Sequence, residues 1–435
     1  MTLARTDSAV AELLAGELRR QQETLVMIAS ENFVSPAVLE ASGSVLTNKY
    51  SEGYPGKRYY TGNAWADRME ELARERAKQL FGVSHANVQP YSGSPANLAA
   101  CFALLNPGEK IMGLHLSYGG HLTHGWKVSA SGVYYTSVPY VTNAEGWLDG
   151  DAIADAARRE RPRLIFCGAT AYPRTIDFAR FAAIAREVDA YLVADISHIA
   201  GLVAGGVHPS PVGHADVITT TTHKTLRGPR GAMILCNGEP SEPLRPPPER
   251  SRKYLPSLID RAVFPGLQGG PHDHQTAAIA VALREASTPE FKDYARRIVE
   301  NARALADALL AAGGRLVTGG TDNHLILMDV TPFGTTGKVA AEALERAGIS
   351  VNMNAIPNDP RKPFDPSGIR LGTAALTTRG FTTDDLRTVG HAIADVLAHP
   401  TDDAVATRIR STVRELTANH PLYRELAIPT RNVEH

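Results

Sequence analysis

The stretch "ADVITTTTHKTLRGPRG", residues 215–231, decides the fold class. It opens on an unbroken run of mostly apolar and β-branched residues over 215–222. The run stops at His223 and Lys224, in a turn rich in arginine and glycine. Such a run suits a strand buried on both faces of a parallel sheet; a strand with one wet face alternates instead. Two upstream runs repeat the pattern, "LIFCGA" (164–169) and "AYLVADI" (190–196). Helical spacing fills the gap between them in "DFARFAAIAREVD" (177–189). Further upstream, "ADRMEELARERAKQLFG" (66–82) places Met69, Leu72, Ala73, Leu80 and Phe81 on one helical face. Strands alternating with helices from about residue 80 to 235 predict an α/β layered sheet.

Beyond this region the composition shifts. "GEPSEPLRPPPERSRKYLPS" (238–257) is rich in proline and charge and reads as an exposed excursion. "TPEFKDYARRIVENARALADALLAAGG" (288–314) predicts a long amphipathic helix ending at glycine. Shorter units follow: a strand in "NHLILMDV" (323–330), and helices in "GKVAAEALERAG" (337–348) and "LRTVGHAIADVLAH" (386–399). The expected division is an N-terminal helical arm over 1–30, a large domain over 31–285 and a small C-terminal domain over 286–435.

The 435 residues suffice for two domains and a sizeable core. With 45 basic and 46 acidic residues, no global charge points to nucleic acid or an anionic membrane. Cys101, Cys167 and Cys236 are widely spaced, without a CxxC pair or a disulfide framework, so a reducing compartment is expected. The first 20 residues form an amphipathic helix candidate containing acids, not a secretory signal, and no apolar run is long enough to span a bilayer. The expectation is a soluble cytoplasmic protein.

Lys224 by itself reads as a surface lysine at a strand end. Two other segments change that reading. "VADISHIAGL" puts Asp195 at the end of an apolar strand, where open sheets hold ligands. A carboxylate there suits a protonated pyridine nitrogen, although a helix cap is the plainer role. "YSGSPANLAACFALL" sets Ser92, Gly93 and Ser94 before a helical run, where hydroxyls and free amides bind phosphate. A phosphate cradle, an acid and a lysine in one α/β sheet point to a pyridoxal phosphate (PLP) site. Nearby arginines and desolvation would lower the lysine's pKa and make it a nucleophile. His121 and His124, three residues apart, admit a metal-pair reading, but the sequence shows no third ligand or acidic partner beside them. No metal is expected.

Longer motifs carry a resemblance. They are "IASENFVSPAVLEASGSVLTNKYSEGYPGKRYY" (28–60), "GGHLTHG" (119–125), "DISHIAGLVAGG" (195–206), "TTTTHKTLRGPRG" (219–231), "VFPGLQGGP" (263–271) and "SGIRLGTAALTTRGF" (367–381). Over nearly its whole length the chain resembles the serine hydroxymethyltransferases. The resemblance implies a fold-type-I PLP-dependent transferase: a large domain with a mostly parallel sheet flanked by helices, plus a smaller α+β C-terminal domain. It implies that Lys224 carries the cofactor, with His223 beside it and Arg230 adding positive field. By the same resemblance, Ser92, Gly93 and Ser94 cradle the phosphate, Asp195 meets the ring nitrogen, and His121 stacks on the ring. His198 and Thr170 lie at its phenolic oxygen. Arg370, supported by Ser30, takes the substrate carboxylate. The loop with Tyr50, Glu52, Tyr59 and Tyr60, together with Gly269 and Gly270, reaches a neighbouring subunit's site, which implies a homodimer with shared sites and leaves a tetramer open. Glu52 and Tyr60 handle protons and substrate, and Tyr50 touches the cofactor. Tyr59, Leu122 and Asn354 belong to the folate site. The implied reaction interconverts serine and glycine with tetrahydrofolate as one-carbon acceptor.

Some positions depart from the family pattern: Thr61, Tyr91, Pro95, Trp126, Lys127, Ser129, Ala130, Met353 and Ala374. Pro95, in the first turn of a helix, is mild. Trp126 and Met353 fall beside the implied folate pocket, and a lysine at 353 would have met folate's carboxylates. Two further readings therefore stay open: a paralogue acting on another amino acid or aldehyde, and a non-catalytic binding partner. Retention of Lys224, Asp195, His121 and Arg370 opposes the second.

Overall fold

The structure is a computed structural model describing residues 2–238 and 254–426. Seven strands form the main sheet: β1 (His85–Asn87), β2 (Lys110–Met112), β3 (Thr136–Ser137), β4 (Leu164–Cys167), β5 (Tyr191–Asp195), β6 (Val217–Thr221) and β7 (Ala232–Cys236). Their spatial order is β1-β7-β6-β5-β4-β2-β3. The pairs from β3 across to β6 are parallel, and β7 runs antiparallel to both β6 and β1. The three apolar runs read from sequence are the central strands β4, β5 and β6, each two or three residues shorter than its run.

These strands are buried on both faces, and side chains alternate between two cores. Ile165, Leu192, Ala194, Ile218, Met233 and Leu235 enter one core. Leu164, Phe166, Tyr191, Val193, Val217 and Ile234 enter the other. The threonines of β6 are buried as well: β-branched packing suits the pleat, and two of the hydroxyls find partners, Thr219 Oγ1 donating to Asn97 Oδ1 at 2.6 Å and Thr220 Oγ1 to the Thr221 carbonyl at 2.8 Å.

Helix α1 (Ala64–Phe81) forms where its periodicity predicts, and Met69, Ala73, Leu80 and Phe81 of the expected face do turn to the core; Leu72 does not. Ala66, Glu70, Ala73, Ala77 and Phe81 are buried, whereas Leu72 is exposed. Glu70 is buried because its charge is met there: it pairs with Arg58 at 2.7 Å and accepts from Gln89. Helix α2 (Gly93–Leu104) follows β1 and presents its N-terminus near the ends of β5 and β6. The proline- and charge-rich excursion over 239–253 lies outside the described residues.

A second sheet, all antiparallel, has the order β8-β9-β11-β10, from β8 (Arg315–Leu316), β9 (Leu325–Asp329), β10 (Asn352–Asn354) and β11 (Gly368–Gly372). Its core of Ile326, Met328, Ile369 and Leu371 packs with Leu305 and Leu309 of the long helix α3 (Pro289–Ala311) and with Val389, Ile393 and Leu397 of α4 (Thr383–Ala398). Helix α3 stops before Gly313, whose φ of 87° suits glycine. Near the N-terminus, Asp7 divides the predicted helix and caps its longer part, Ser8–Glu23, by accepting from Val10 N at 3.1 Å. Leu25–Val26 then pairs in parallel with Ile349–Ser350. No helix among the described residues is long and apolar enough to cross a membrane.

Candidate active site

Lys224 sits three residues past β6, at the carboxyl-end rim where parallel sheets place ligands. Its carbonyl is held twice, by Asn32 Nδ2 at 2.9 Å and by Arg227 N at 3.0 Å. Its Nζ has no hydrogen-bond or ion-pair partner among the described residues. Burial lowers its pKa to about 8; the Asp195 charge opposes this, while Arg370 and Arg230 add to it. Much of this amine is thus neutral at mildly alkaline pH.

Asp195 ends β5 and is saturated with donors. Asn97 Nδ2 reaches Oδ2 at 2.8 Å, His124 Nε2 reaches it at 3.1 Å, and Ser197 N donates to Oδ1 at 3.0 Å. Burial alone would raise this carboxyl's pKa. The His124 hydrogen bond, with His121 nearby, outweighs that and holds it well below the usual carboxylate range. Gly168, at the end of neighbouring β4, has φ 154°, and a Cβ there would lie 2.3 Å from the Asp195 carbonyl oxygen. Only glycine permits this approach.

The fold corrects one reading of the sequence. His121 and His124 do have an acidic partner: ligating atoms of His121, His124 and Asp195 all lie within 4.8 Å of one another. The acid's oxygens are nonetheless engaged by an amide, an imidazole and a backbone N–H, and the His124 ring stacks on Phe166 at 4.7 Å. The trio's geometry is that of a hydrogen-bonded acid. His121 Nδ1 lies 2.7 Å from Thr123 Oγ1, and burial, with His124 second, lowers its pKa to about 4. It is a neutral aromatic ring at the pH of function.

Ser92 precedes α2 as its N-cap, yet its side chain makes no capping bond. The amides of Gly93 and Ser94 therefore face the helix entrance uncapped by that side chain, with the positive end of the helix dipole behind them. A Cβ at Gly93 would come within 2.8 Å of Thr221 Cγ2, so a larger residue would crowd the end of β6. Pro95 sits in the first turn, where it lacks only an amide that no intrahelical bond needs.

Arg370, in β11, is half-buried, and desolvation lowers its pKa to about 10. Nε donates to Asn352 Oδ1 at 2.9 Å and Nη1 to the Thr170 carbonyl at 2.7 Å. Nη2 has no partner among the described residues. Thr170 is itself fixed, its hydroxyl donating to the Gly120 carbonyl at 2.9 Å. His198 Nδ1 and His324 Nε2 are 3.3 Å apart, and burial keeps both rings neutral, that of His324 with a pKa of about 3. Ser30 makes no hydrogen bond to Arg370. Its neighbour Ala29 packs on Gly372, two residues along β11, and Ser30 lines a cleft of about 510 Å³ with His223 and Arg230. Burial, with Arg230 and Lys224 nearby, lowers the His223 pKa to about 3, and its buried Nδ1 has no partner. Leu122 is exposed. Asn354 is half-buried and donates to the Ala355 carbonyl at 2.7 Å. Trp126 stands edge-on to His115 with ring centroids 5.6 Å apart.

The tyrosine loop forms a cluster of its own. Tyr60 and Tyr50 donate to the two oxygens of Glu52 at 3.0 and 3.3 Å, and the two rings meet edge to face. Gly269 and Gly270 pack against Glu52 and Tyr50 respectively. Tyr91 donates to the Gly270 carbonyl at 2.7 Å and stacks on His272. Tyr59 and Tyr60 are exposed, and Tyr59 meets Phe264 edge-on. Among the described residues no hydrogen bond or ion pair joins this cluster to Lys224, Asp195 or Arg370. A buried network underpins it: Arg58 donates to the Ser51 and Gly53 carbonyls, and Ser51 Oγ donates to Asp273.

A sequence model described as serine hydroxymethyltransferase matches residues 3–393. The chain belongs to the serine hydroxymethyltransferase family. It is 60% identical to the serine hydroxymethyltransferase of Acidothermus cellulolyticus over 96% of both chains. It is 58% identical to that of Sorangium cellulosum, again over 96% of both. The Desulfotalea psychrophila protein of the same name is 54% identical, over 96% of this chain and 95% of its own. The fold is accordingly that of the fold-type-I PLP enzymes.

The residues present fit this family's cofactor. A buried amine without a partner suits an aldehyde, an ionised acid suits a protonated ring nitrogen, and an uncapped helix start suits a phosphate. Sequence reading missed four of the residues that hold these groups: Asn97, Asn32, Asn352 and His324. Each lies in or beside a quoted motif or predicted strand, but nothing local distinguishes an asparagine that braces an active-site group from one that caps a turn.

Proposed function

We propose that the chain interconverts serine and glycine as a PLP-dependent hydroxymethyltransferase with tetrahydrofolate as the one-carbon acceptor. The observation that carries this reading is Lys224: buried, unpartnered at Nζ, with a pKa of about 8, beside an ionised Asp195 and an Arg370 with donors to spare.

When bound, the cofactor supplies an electron sink for the negative charge left at the substrate's Cα as its bond to Cβ breaks. Ser92, Gly93 and Ser94 would hold its phosphate, Asp195 would keep its ring nitrogen protonated, and His121 would cover its ring. Thr170 and His198 would stand at its phenolic oxygen, and Lys224 would be the amine that holds its aldehyde. Arg370 orients the substrate through the carboxylate, using donors that Asn352 and Thr170 leave free. Lys224 gives up a proton readily because its surroundings disfavour its charge.

Glu52 moves the proton at the substrate hydroxyl, held for that task by Tyr60 and Tyr50. The Glu52 cluster makes no bond to its own chain's Lys224, which supports a homodimer in which each chain lends this loop, with Gly269 and Gly270, to its neighbour's site. Tyr59, Leu122 and Asn354 are assigned to folate. The three cysteines are buried and unpaired, which supports a reducing, cytoplasmic setting.

The test is serine turnover by purified protein with and without tetrahydrofolate. The expected protein is yellow, turns over serine in a folate-dependent way, and loses both colour and turnover in Lys224→Ala. A colourless protein that PLP does not restore removes the cofactor assignment. Equal cleavage of serine or another β-hydroxy amino acid without folate replaces the transferase reading with an aldolase.

A further inference from the structure

We infer that Asn352 is a positioning residue for substrate recognition: it aims Arg370 at the substrate carboxylate and leaves the guanidinium's charge uncompensated. The inference deepens the proposed function and rests on Arg370 holding that carboxylate.

Asn352 and Arg370 are direct cross-strand partners of β10 and β11. The amide is pinned at both ends: Nδ2 donates to the Met353 carbonyl at 2.8 Å, which turns Oδ1 to accept from Arg370 Nε at 2.9 Å. No ion pair involves Arg370 among the described residues, and the groups that accept from it are both neutral, the Asn352 amide and the Thr170 carbonyl. A carboxylate in either place would neutralise a cation that must instead be met by the substrate. The two acceptors also differ in kind. Thr170 follows β4 of the large sheet, so its bond crosses between sheets. Asn352 shares a sheet with Arg370, so its bond keeps the same geometry if the sheets shift against each other. Asn352 is thus the fixed brace that sets the fork's direction. In this reading it touches Arg370 and acts on the substrate only through it.

The test is Asn352→Asp, isosteric but anionic, and Asn352→Ala, in cofactor-loaded protein, with spectral titration by glycine, serine and ethanolamine. Ethanolamine is the amine of serine without its carboxylate. Asn352→Asp should weaken serine and glycine binding about tenfold or more, while ethanolamine and PLP affinities stay unchanged. KM for serine should rise more than kcat falls, and Asn352→Ala should lie between wild type and Asn352→Asp. In an Arg370→Ala background, Asn352→Asp should add nothing. The retained visible band certifies folding of each variant. Wild-type serine affinity in Asn352→Asp, an equal loss for ethanolamine, or full additivity with Arg370→Ala overturns the role. A wild-type protein that binds neither serine nor glycine overturns the underlying functional reading instead.

Discussion

Asn97 bridges the acid and the strand that leads to the lysine: its Nδ2 donates to Asp195 Oδ2 at 2.8 Å while its Oδ1 accepts from Thr219 Oγ1 at 2.6 Å. Asp195 ends β5 and Thr219 lies within adjacent β6, so one amide from α2 ties the helix to two neighbouring strands. Asn97→Asp would place a second carboxylate against Asp195. Like charges at this distance disfavour joint ionisation, so one of the pair would take a proton. The expected result is a loss of PLP affinity of about tenfold or more and a larger fall in kcat, read by absorbance titration and serine turnover. Wild-type values for both would show that Asp195 tolerates a charged neighbour.

Capture of PLP by cofactor-free protein should speed up with pH and level off above about 8, because only the neutral Lys224 amine attacks an aldehyde. Arg370 lowers this pKa, so Arg370→Gln should move the midpoint to higher pH. Stopped-flow absorbance gives the profile. A midpoint near that of an ordinary lysine would deny the burial effect.

Glu52→Gln keeps the shape of the acid and one of its two acceptor oxygens but cannot exchange its proton. This variant should bind serine with a normal spectral change and transfer the one-carbon unit about 100-fold or more slowly. Mixed with Lys224→Ala protein, it should regain some activity, since a mixed dimer would hold one complete site. Proven subunit exchange without recovery counts against shared sites, and full activity of Glu52→Gln counts against the proton role.

Arg58 and Glu70 form a buried pair at 2.7 Å beneath the Glu52 loop, with both side chains almost fully buried. Arg58→Ala strands the Glu70 charge and should cost about 3–5 kcal/mol. Thermal melts should show a clear drop in Tm, and kcat should fall with it, because the backbone on either side of Glu52 loses its anchor at Ser51 and Gly53. An unchanged melt would mean that Glu70 takes a proton at little cost.

The sequence by itself determined the three central strands of the main sheet and what chemistry to expect at their ends. A strand buried on both faces must be apolar or β-branched throughout, which marked 164–169, 190–196 and 215–222. Lys224, Asp195 and the Ser92–Ser94 turn each sit at a boundary that local pattern reveals, and long motifs carried the family. What the pattern could not show is which polar groups meet across long chain separations. Asn97 and Asp195 are 98 residues apart, and Arg370 and Thr170 are 200 apart. Tertiary packing alone supplied the acid beside His121 and His124, buried Glu70 against Arg58 while leaving Leu72 exposed, and gave Arg370 two neutral braces. The physical reason is range. Periodicity records which side of an element faces the core, whereas a hydrogen bond between distant elements leaves no trace in the spacing of either one.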